Sequence, residues 1–384
     1  MKELNDLVSD SNPILRIMDK LDTINGYIKN LDQSYIKELD DKFEEELNQI
    51  SKSQGEIESE LKNAYKNEDL VFVFGAGISK DFGLPDWNVL LQKLILKSVK
   101  VDGNNSYAKA SVFAQLFQQL FNLSPLITAR YLKNYFGKNH NIKFEDEIRK
   151  ALYNSYKSNH QSKLMDEILQ FCVAPGKAPN LNSIITYNYD DILEEYLSKQ
   201  NIKIPFKTIY KIGSKPQNKE LAIYHIHGYL PRKGKVDLSL NITLSEDAYH
   251  KQYNDIYSWN NIIQINKFKD NTCLFIGVSL TDPNLRRVLD IAKMHRGDNQ
   301  TPHFIIKKRH NSKILSVYLK SFLQQNKNIY NEKVMADLML TETSEYLSSM
   351  MEKYEEADAL SFGINTIWVD KYEDIPQILK SIRE

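Results

Sequence analysis

The sequence predicts an α/β protein with a doubly wound parallel sheet, and three observations carry that reading. Short apolar runs end in glycine or small polar residues: LVFVF at 70–74 before Gly75, SIITYN at 183–188, and TCLFIG at 272–277. Such unbroken runs belong to strands buried on both faces of a parallel sheet. They alternate with amphipathic stretches of helical period, the pattern of a sheet wound on both sides. The first run also leads through Gly75-Ala76-Gly77 into a helical pattern, the strand–turn–helix context of a dinucleotide-binding, Rossmann-like unit. A helical insertion and an N-terminal helical arm complete the predicted fold.

The arm comes first. Residues 1–68 place Ile14, Ile17, Leu21, Ile24, Ile28, Leu31, Ile36, Leu39, Phe43, Leu47 and Ile50 at spacings of mostly three and four between charged and amide residues. This predicts two or more amphipathic helices, serving either as a packed layer or as an oligomerisation or partner-binding arm. Residues 69–384 are read as one nucleotide-binding domain. Leu70–Phe74 is its first strand, and a second turn at Gly83-Leu84-Pro85 precedes a helix from Asn88. SVFAQLFQQLF, ITARYLKNYFG, FEDEIRKALYNSY and KLMDEILQFCV then form a helical subdomain over about 108–172, expected to roof the cleft above the glycine turn. Further strands are expected at 206–210, 221–225, 301–307 and 364–369, with helices over about 312–357 and a last helix at 374–382.

Composition excludes several classes. Lys+Arg 50 against Asp+Glu 50 leaves no net charge to drive non-specific binding to nucleic acid or an anionic membrane. No apolar run reaches membrane-spanning length, and no signal peptide is visible, which predicts a cytoplasmic protein. The two cysteines, Cys172 and Cys273, supply neither a disulfide framework nor a four-cysteine zinc site. No metal requirement is expected.

The candidate chemistry gathers at strand ends. Gly75 and Gly77 have no side chain to keep backbone N–H groups from a pyrophosphate, and the helix that follows favours the anion. A plain βα turn would use the same glycines. Polar residues just after a parallel strand lie at the carboxyl edge, where doubly wound proteins bind ligands. That places Thr186, Asn188 and Asp190 at the edge; Asp190 or Asp191 also suits a helix cap. In His225-Ile226-His227-Gly228 the two histidines point the same way on a strand, and no third metal ligand follows. His227, beside the glycine turn, is read as a catalytic base, and His225 as a packed core histidine. Asp282-Pro283 is a strong helix start.

The ordered set GAGIS at 75–79, GLPDW at 83–87, TYNYD at 186–190, HG at 227–228 and GVSLTDPN at 277–284 resembles the sirtuin family, and within it the bacterial sirtuin-like NADase branch. The resemblance implies NAD as substrate, with His227 and Asn188 catalytic. Gly75, Ala76, Gly77, Ser79, Asp86, Thr186, Asp190, Gly277, Ser279 and Asp282 form the implied NAD-binding set. Within it the glycine loop and Ser79 hold phosphates, Asn188 and Asp190 face the nicotinamide ribose, and Gly277 and Ser279 hold the adenosine side. It also implies an effector of anti-phage defence that depletes host NAD, a homo-oligomer, and in some members a separate hexameric ATPase of the HerA class. No appended sensor is expected, so the trigger is expected from a partner or from assembly. Two departures weigh against the family's protein deacylases. The zinc module's four cysteines are missing, and Asn88 stands where those enzymes place arginine. The remaining alternative is a non-catalytic module sensing NAD or ADP-ribose.

Overall fold

The first strand, β1 (Val71–Phe74), is buried at every position and sits at the centre of a seven-stranded sheet. The computed structural model describes residues 33–98, 124–138, 143–158, 160–173, 180–200, 204–236, 242–296, 301–325 and 340–384. Six more strands follow in chain order: β2 (Ser183–Thr186), β3 (Phe206–Ile209), β4 (Leu221–His225), β5 (Cys273–Ile276), β6 (His303–Lys308) and β7 (Ile364–Val369). Their spatial order is β3-β4-β2-β1-β5-β6-β7, and every pairing is parallel. The chain therefore winds outward from β1 in both directions, as the unbroken apolar strands predict.

Described helices are α1 (Gln33–Ile50), α2 (Gln54–Lys66), α3 (Trp87–Ser98), α4 (Pro125–Gly137), α5 (Phe144–Tyr153), α6 (Lys163–Cys172) and α7 (Ile192–Ser198). After β4 come α8 (Glu246–Asn254), α9 (Trp259–Asp270), α10 (Pro283–Arg296), α11 (Ser312–Gln325), α12 (Leu340–Ser361) and α13 (Ile375–Arg383). A 3₁₀ helix, Ala76–Phe82, continues directly from β1.

Period-two alternation splits the core between the two faces of the sheet. Phe72, Phe74, Ile184, Ile223, Leu274 and Ile276 look toward a cluster built with α2 to α7 and α13. Val71, Val73, Ile185, Phe275 and Ile305 look toward a second cluster built with α9 and α10. Helices on both faces leave the strand ends as the place where backbone and polar side chains can meet a ligand.

The described residues fall into two compact units. One takes the chain up to Lys52 together with Arg309–Asp358, and the other takes Ser53–Lys308 and Ala359–Glu384. The first is helical: Phe43 of α1 meets Tyr354 of α12 edge-on at 6.1 Å, and Lys353 pairs with Glu44 at 2.9 Å. The second holds the whole sheet. It also holds α2, within the range read as the N-terminal arm, because Ile57, Leu61 and Ala64 enter the core. The arm's residues 1–32 lie outside the described residues, as does the insertion before residue 124. Within the insertion α4 and α5 pack on α3, and α4 is tied to α8 through Arg130–Glu246 at 2.7 Å and Lys133–Asp247 at 2.6 Å.

Candidate active site

Four adjacent parallel strands, β4, β2, β1 and β5, end at one edge of the sheet. That edge brings together the segments flagged from sequence: His225–Gly228, Thr186–Asp190, Gly75–Ser79 and Gly277–Asp282. Cα register pairs Phe74 with Thr186 and with Ile276, and Thr186 with His225, so the four segments leave the sheet at the same level.

The glycines serve a contact between two of these loops. A Cβ on Gly75 would lie 2.5 Å from the carbonyl oxygen of Gly277, and one on Gly77 2.5 Å from the Gly277 Cα. Gly277 itself has φ +67°, a left-handed conformation natural to glycine. The Gly75 N–H donates to the Ile276 carbonyl at 3.2 Å and the Gly77 N–H to the Gly277 carbonyl at 3.1 Å. The sequence reading directs these N–H groups at a pyrophosphate; here the β5 edge accepts both.

Ser79 is fully buried and turns away from solvent. Its Oγ lies 3.1 Å from both carboxylate oxygens of Asp190 and donates to them. Asp190 also accepts from the Ile192 N–H at 3.2 Å, so it helps to cap α7 as well as holding the β1 loop. Burial pushes its pKa up to about 6, against the pull of these hydrogen bonds. Asn188 is held between the same elements. Its N–H donates to Thr186 Oγ1 at 3.1 Å, and its Nδ2 to the Gly75 carbonyl at 3.1 Å and to Ser79 Oγ at 3.3 Å.

The two histidines differ. His225 is buried and hydrogen-bonded on both ring nitrogens, Nδ1 with the Asn188 carbonyl at 3.0 Å and Nε2 with Glu194 Oε1 at 2.7 Å. Burial alone would lower its pKa, but the Glu194 charge and hydrogen bond raise it above the usual histidine value. His227, also buried, has an Nε2 with no hydrogen-bond partner among the described residues. The nearest carboxylate oxygen, Asp282 Oδ2, is 3.6 Å away. The rings of Tyr187 and Tyr249 meet the imidazole edge-on at 4.9 and 5.7 Å. Burial holds its pKa below the ordinary value, with Asp282 pulling the other way. A neutral imidazole with a free nitrogen is the form a general base requires.

Asp282 reaches the catalytic candidate as well as its helix. Oδ1 accepts the Leu285 N–H at 2.8 Å at the start of α10, and Oδ2 accepts the Tyr249 hydroxyl. Tyr249, fully buried on α8, stacks on Trp87 at 5.9 Å. Tyr187 in turn hydrogen-bonds Gln264 of α9. Two predicted residues stand apart from this cluster. Asp86 caps α3 through the Val89 N–H at 3.1 Å and pairs with Lys80 at 3.2 Å. Ser279 is exposed, with Oγ 2.9 Å from Thr281 Oγ1. Sequence reasoning missed Tyr249 and Glu194, since a buried aromatic on a helix reads as core and a glutamate in a first helical turn reads as dipole compensation; Tyr187 lies inside the flagged TYNYD segment but was given no role. Among the described residues no group of three or more His, Cys, Asp or Glu could hold a metal ion.

Residues 182–330 match the model of the SIR2-like domain. The match covers less than half of the chain. The match opens just before β2 and includes Asn188, His227 and Asp282, while the β1 glycine loop precedes it. The chain is 26% identical over 201 residues to a protein named NAD(+) hydrolase ThsA from Enterococcus faecium, covering 52% of this chain and 37% of that one. Identity is 27% over 204 residues to the protein of the same name from Cytobacillus dafuensis, covering 51% and 35%. A third of that name, from Acinetobacter baumannii, is 22% identical over 338 residues, covering 85% of this chain and 55% of its own. The chain thus spans about a third to just over half the length of these relatives. Among the described residues no helix is long and apolar enough to cross a membrane.

Proposed function

We propose that the protein hydrolyses NAD at the nicotinamide–ribose bond, with His227 and Asn188 catalytic. The observation that carries the reading is the enclosed Nε2 of His227, which has no hydrogen-bond partner among the described residues and sits at the carboxyl edge of the sheet. A buried polar atom left unpaired is costly, and such exceptions collect where a substrate completes the bonding. The relatives' name, NAD(+) hydrolase, supports the same substrate.

The bond to C1′ of the nicotinamide ribose breaks with its electron pair going to the pyridinium nitrogen, which leaves as neutral nicotinamide. C1′ passes through an oxocarbenium-like state, as in glycoside hydrolysis. Water adds to C1′, and its proton passes to His227, directly or through a ribose hydroxyl. The products are nicotinamide, ADP-ribose and a proton. The Asn188 carboxamide orients the water and the ribose hydroxyls. Asp282 steadies the imidazolium that His227 becomes. Of the implied binding set, Gly75, Ala76, Gly77, Ser79, Thr186, Asp190, Gly277 and Asp282 are assigned to the substrate edge, while Asp86 and Ser279 stand apart from that cluster.

The wider role follows the resemblance: an effector that depletes host NAD on phage infection, acting in the cytoplasm as a homo-oligomer. The N-terminal arm is assigned to assembly or to a partner such as a HerA-class ATPase. Neither metal nor sequence-specific nucleic-acid binding enters the chemistry. The test is nicotinamide release from NAD by the purified protein, alone and with such a partner. His227→Ala and Asn188→Ala should each lose at least about 10²-fold with the fold intact, the lower end of a general-base contribution. Near-native release by His227→Ala overturns the assignment.

A further inference from the structure

We propose that Glu194 and His225 form a buried ion pair that fixes the backbone of Asn188 and so aims its carboxamide at the substrate ribose. The pair are positioning residues, and the inference rests on the reading of Asn188 and His227 as the hydrolytic residues.

Asn188 lies just past the end of β2, where the strand ladder no longer supplies partners for its backbone. Its buried carbonyl is met by Nδ1 of His225, and the register Thr186↔His225 puts that histidine alongside. A carbonyl only accepts, so Nδ1 must carry a proton. On the other side of the ring stands a carboxylate, which when ionised also only accepts, so Nε2 carries one too. Two acceptor-only partners on opposite sides of one buried ring select the imidazolium. Glu194 Oε1 takes a second donor, Thr208 Oγ1 at 3.2 Å, from β3. The other groups facing the ring are the Asp190 carboxylate, which adds negative charge, and Tyr229, edge-on at 4.6 Å.

The pair also closes a loop in the chain. Glu194 stands on α7, which starts immediately after Asp190 and Asp191. The segment carrying Asn188 is therefore pinned at its own carbonyl by His225 and again through α7 by Glu194. Thr186, Gly75 and Ser79 hold the N–H and the side chain of Asn188; only the carbonyl depends on His225. A buried ion pair is a poor way to gain stability, because well-packed apolar residues serve as well or better. Its use here is placement, and a displacement of about 1 Å at a reacting group costs about 10²-fold in rate.

The test uses the full chain in two measurements. In ¹⁵N-histidine-labelled protein at pH 7.5, His225 should carry protons on both nitrogens, and Glu194→Gln should remove the one on Nε2. A singly protonated His225 in the wild-type chain overturns the ion pair. For kinetics, two double variants remove the buried charge and differ only in a donor to Asn188: His225→Asn with Glu194→Gln keeps one, and His225→Ala with Glu194→Gln does not. The alanine form should lose about 10²-fold in kcat for NAD cleavage with KM changed less than about threefold, and the asparagine form should stay within about tenfold of wild type. Equal kcat for the two forms overturns positioning. If His227→Ala still cleaves NAD, the hydrolytic reading fails instead. The Asn188 side-chain amide resonance then decides: a shift in the alanine form alone supports the pair, and no shift in either form overturns it.

Discussion

Nε2 of His227 and Oδ2 of Asp282 face each other across 3.6 Å, and the oxygen already accepts the hydroxyl of Tyr249. The carboxylate is close enough to stabilise a charged imidazole and too committed to make it permanently charged. Two substitutions at this contact should move the pH profile in opposite directions. In the proposed mechanism His227 acts as the neutral base, so kcat/KM should rise as pH climbs through its pKa, which burial holds below the ordinary value of about 6.5. Asp282→Asn keeps a capping oxygen for α10 and removes the charge, so the acid limb should shift to lower pH. Tyr249→Phe releases Oδ2 to face the imidazole alone, so the limb should shift to higher pH. Measuring kcat/KM for NAD cleavage between pH 4.5 and 8 checks both signs; limbs that coincide with wild type refute the coupling.

Asp190 should destabilise the protein as pH rises. Burial pushes its pKa up to about 6 from the ordinary 3.8, so the fold favours the neutral acid. The contribution to stability is complete below the unfolded value and is lost as pH rises through the folded one. Above that window the buried carboxylate costs on the order of 2–3 kcal/mol. Asp190→Asn keeps an oxygen for the Ile192 N–H and never ionises. The melting temperature of the variant relative to wild type should therefore climb between about pH 4 and 6 and level off above. Melting curves that stay parallel across that range would refute the role given to burial.

How far the site was legible from sequence depends on whether its parts lie next to a strand end. Gly75–Ser79, Thr186–Asp190, His227 and Asp282 each follow an apolar strand, and a parallel sheet gathers such residues at one edge. All seven strands were expected close to where they occur, because strands buried on both faces need unbroken apolar runs. The partners that arrive from helices were not legible. Glu194 and His225 are 31 residues apart and meet only because β2 and β4 are neighbours. Tyr249 comes from a helix outside the sheet, and nothing in its local pattern marks a hydroxyl aimed at Asp282. His225 was read as core. It is as buried as that reading requires, yet both its ring nitrogens are engaged.

The contact between Gly77 and Gly277 predicts a sharp contrast among glycine substitutions. Gly77→Ala drives a methyl to 2.5 Å from the Gly277 backbone, and Gly277→Ala combines a 2.8 Å approach with φ +67°. Each should cost at least about 2 kcal/mol and lower NAD cleavage as the two loops part. Gly55, in the first turn of α2, has no atom of the described residues within 4 Å of an added Cβ. Gly55→Ala should instead stabilise by about 0.4–1 kcal/mol, by restricting the unfolded chain. Chemical denaturation of the three variants checks the order; a tolerated Gly77→Ala would mean that the loops can separate cheaply.

The last prediction concerns where the N-terminal arm can be cut. Ser53 caps α2: its N–H donates to Glu56 Oε2 at 2.8 Å, and the Glu56 N–H returns to Ser53 Oγ at 3.4 Å. Behind this cap Ile57, Leu61 and Ala64 pack into the core beside α13. A deletion ending at Lys52 leaves cap and contacts in place. A deletion ending at Glu60 removes the cap, worth about 1 kcal/mol, and the burial of Ile57, worth about 2 kcal/mol, and leaves Leu61 at a chain end. The longer deletion should therefore unfold at lower denaturant than the shorter one. Particle size separates this from assembly: if residues before Ser53 build the oligomer, both deletions should give a smaller particle by light scattering, and only the longer one should also lose stability. A shorter deletion that keeps the wild-type particle and its partner would exclude the arm from assembly. A shorter deletion as unstable as the longer would show that the sheet-bearing unit depends on residues before its cap.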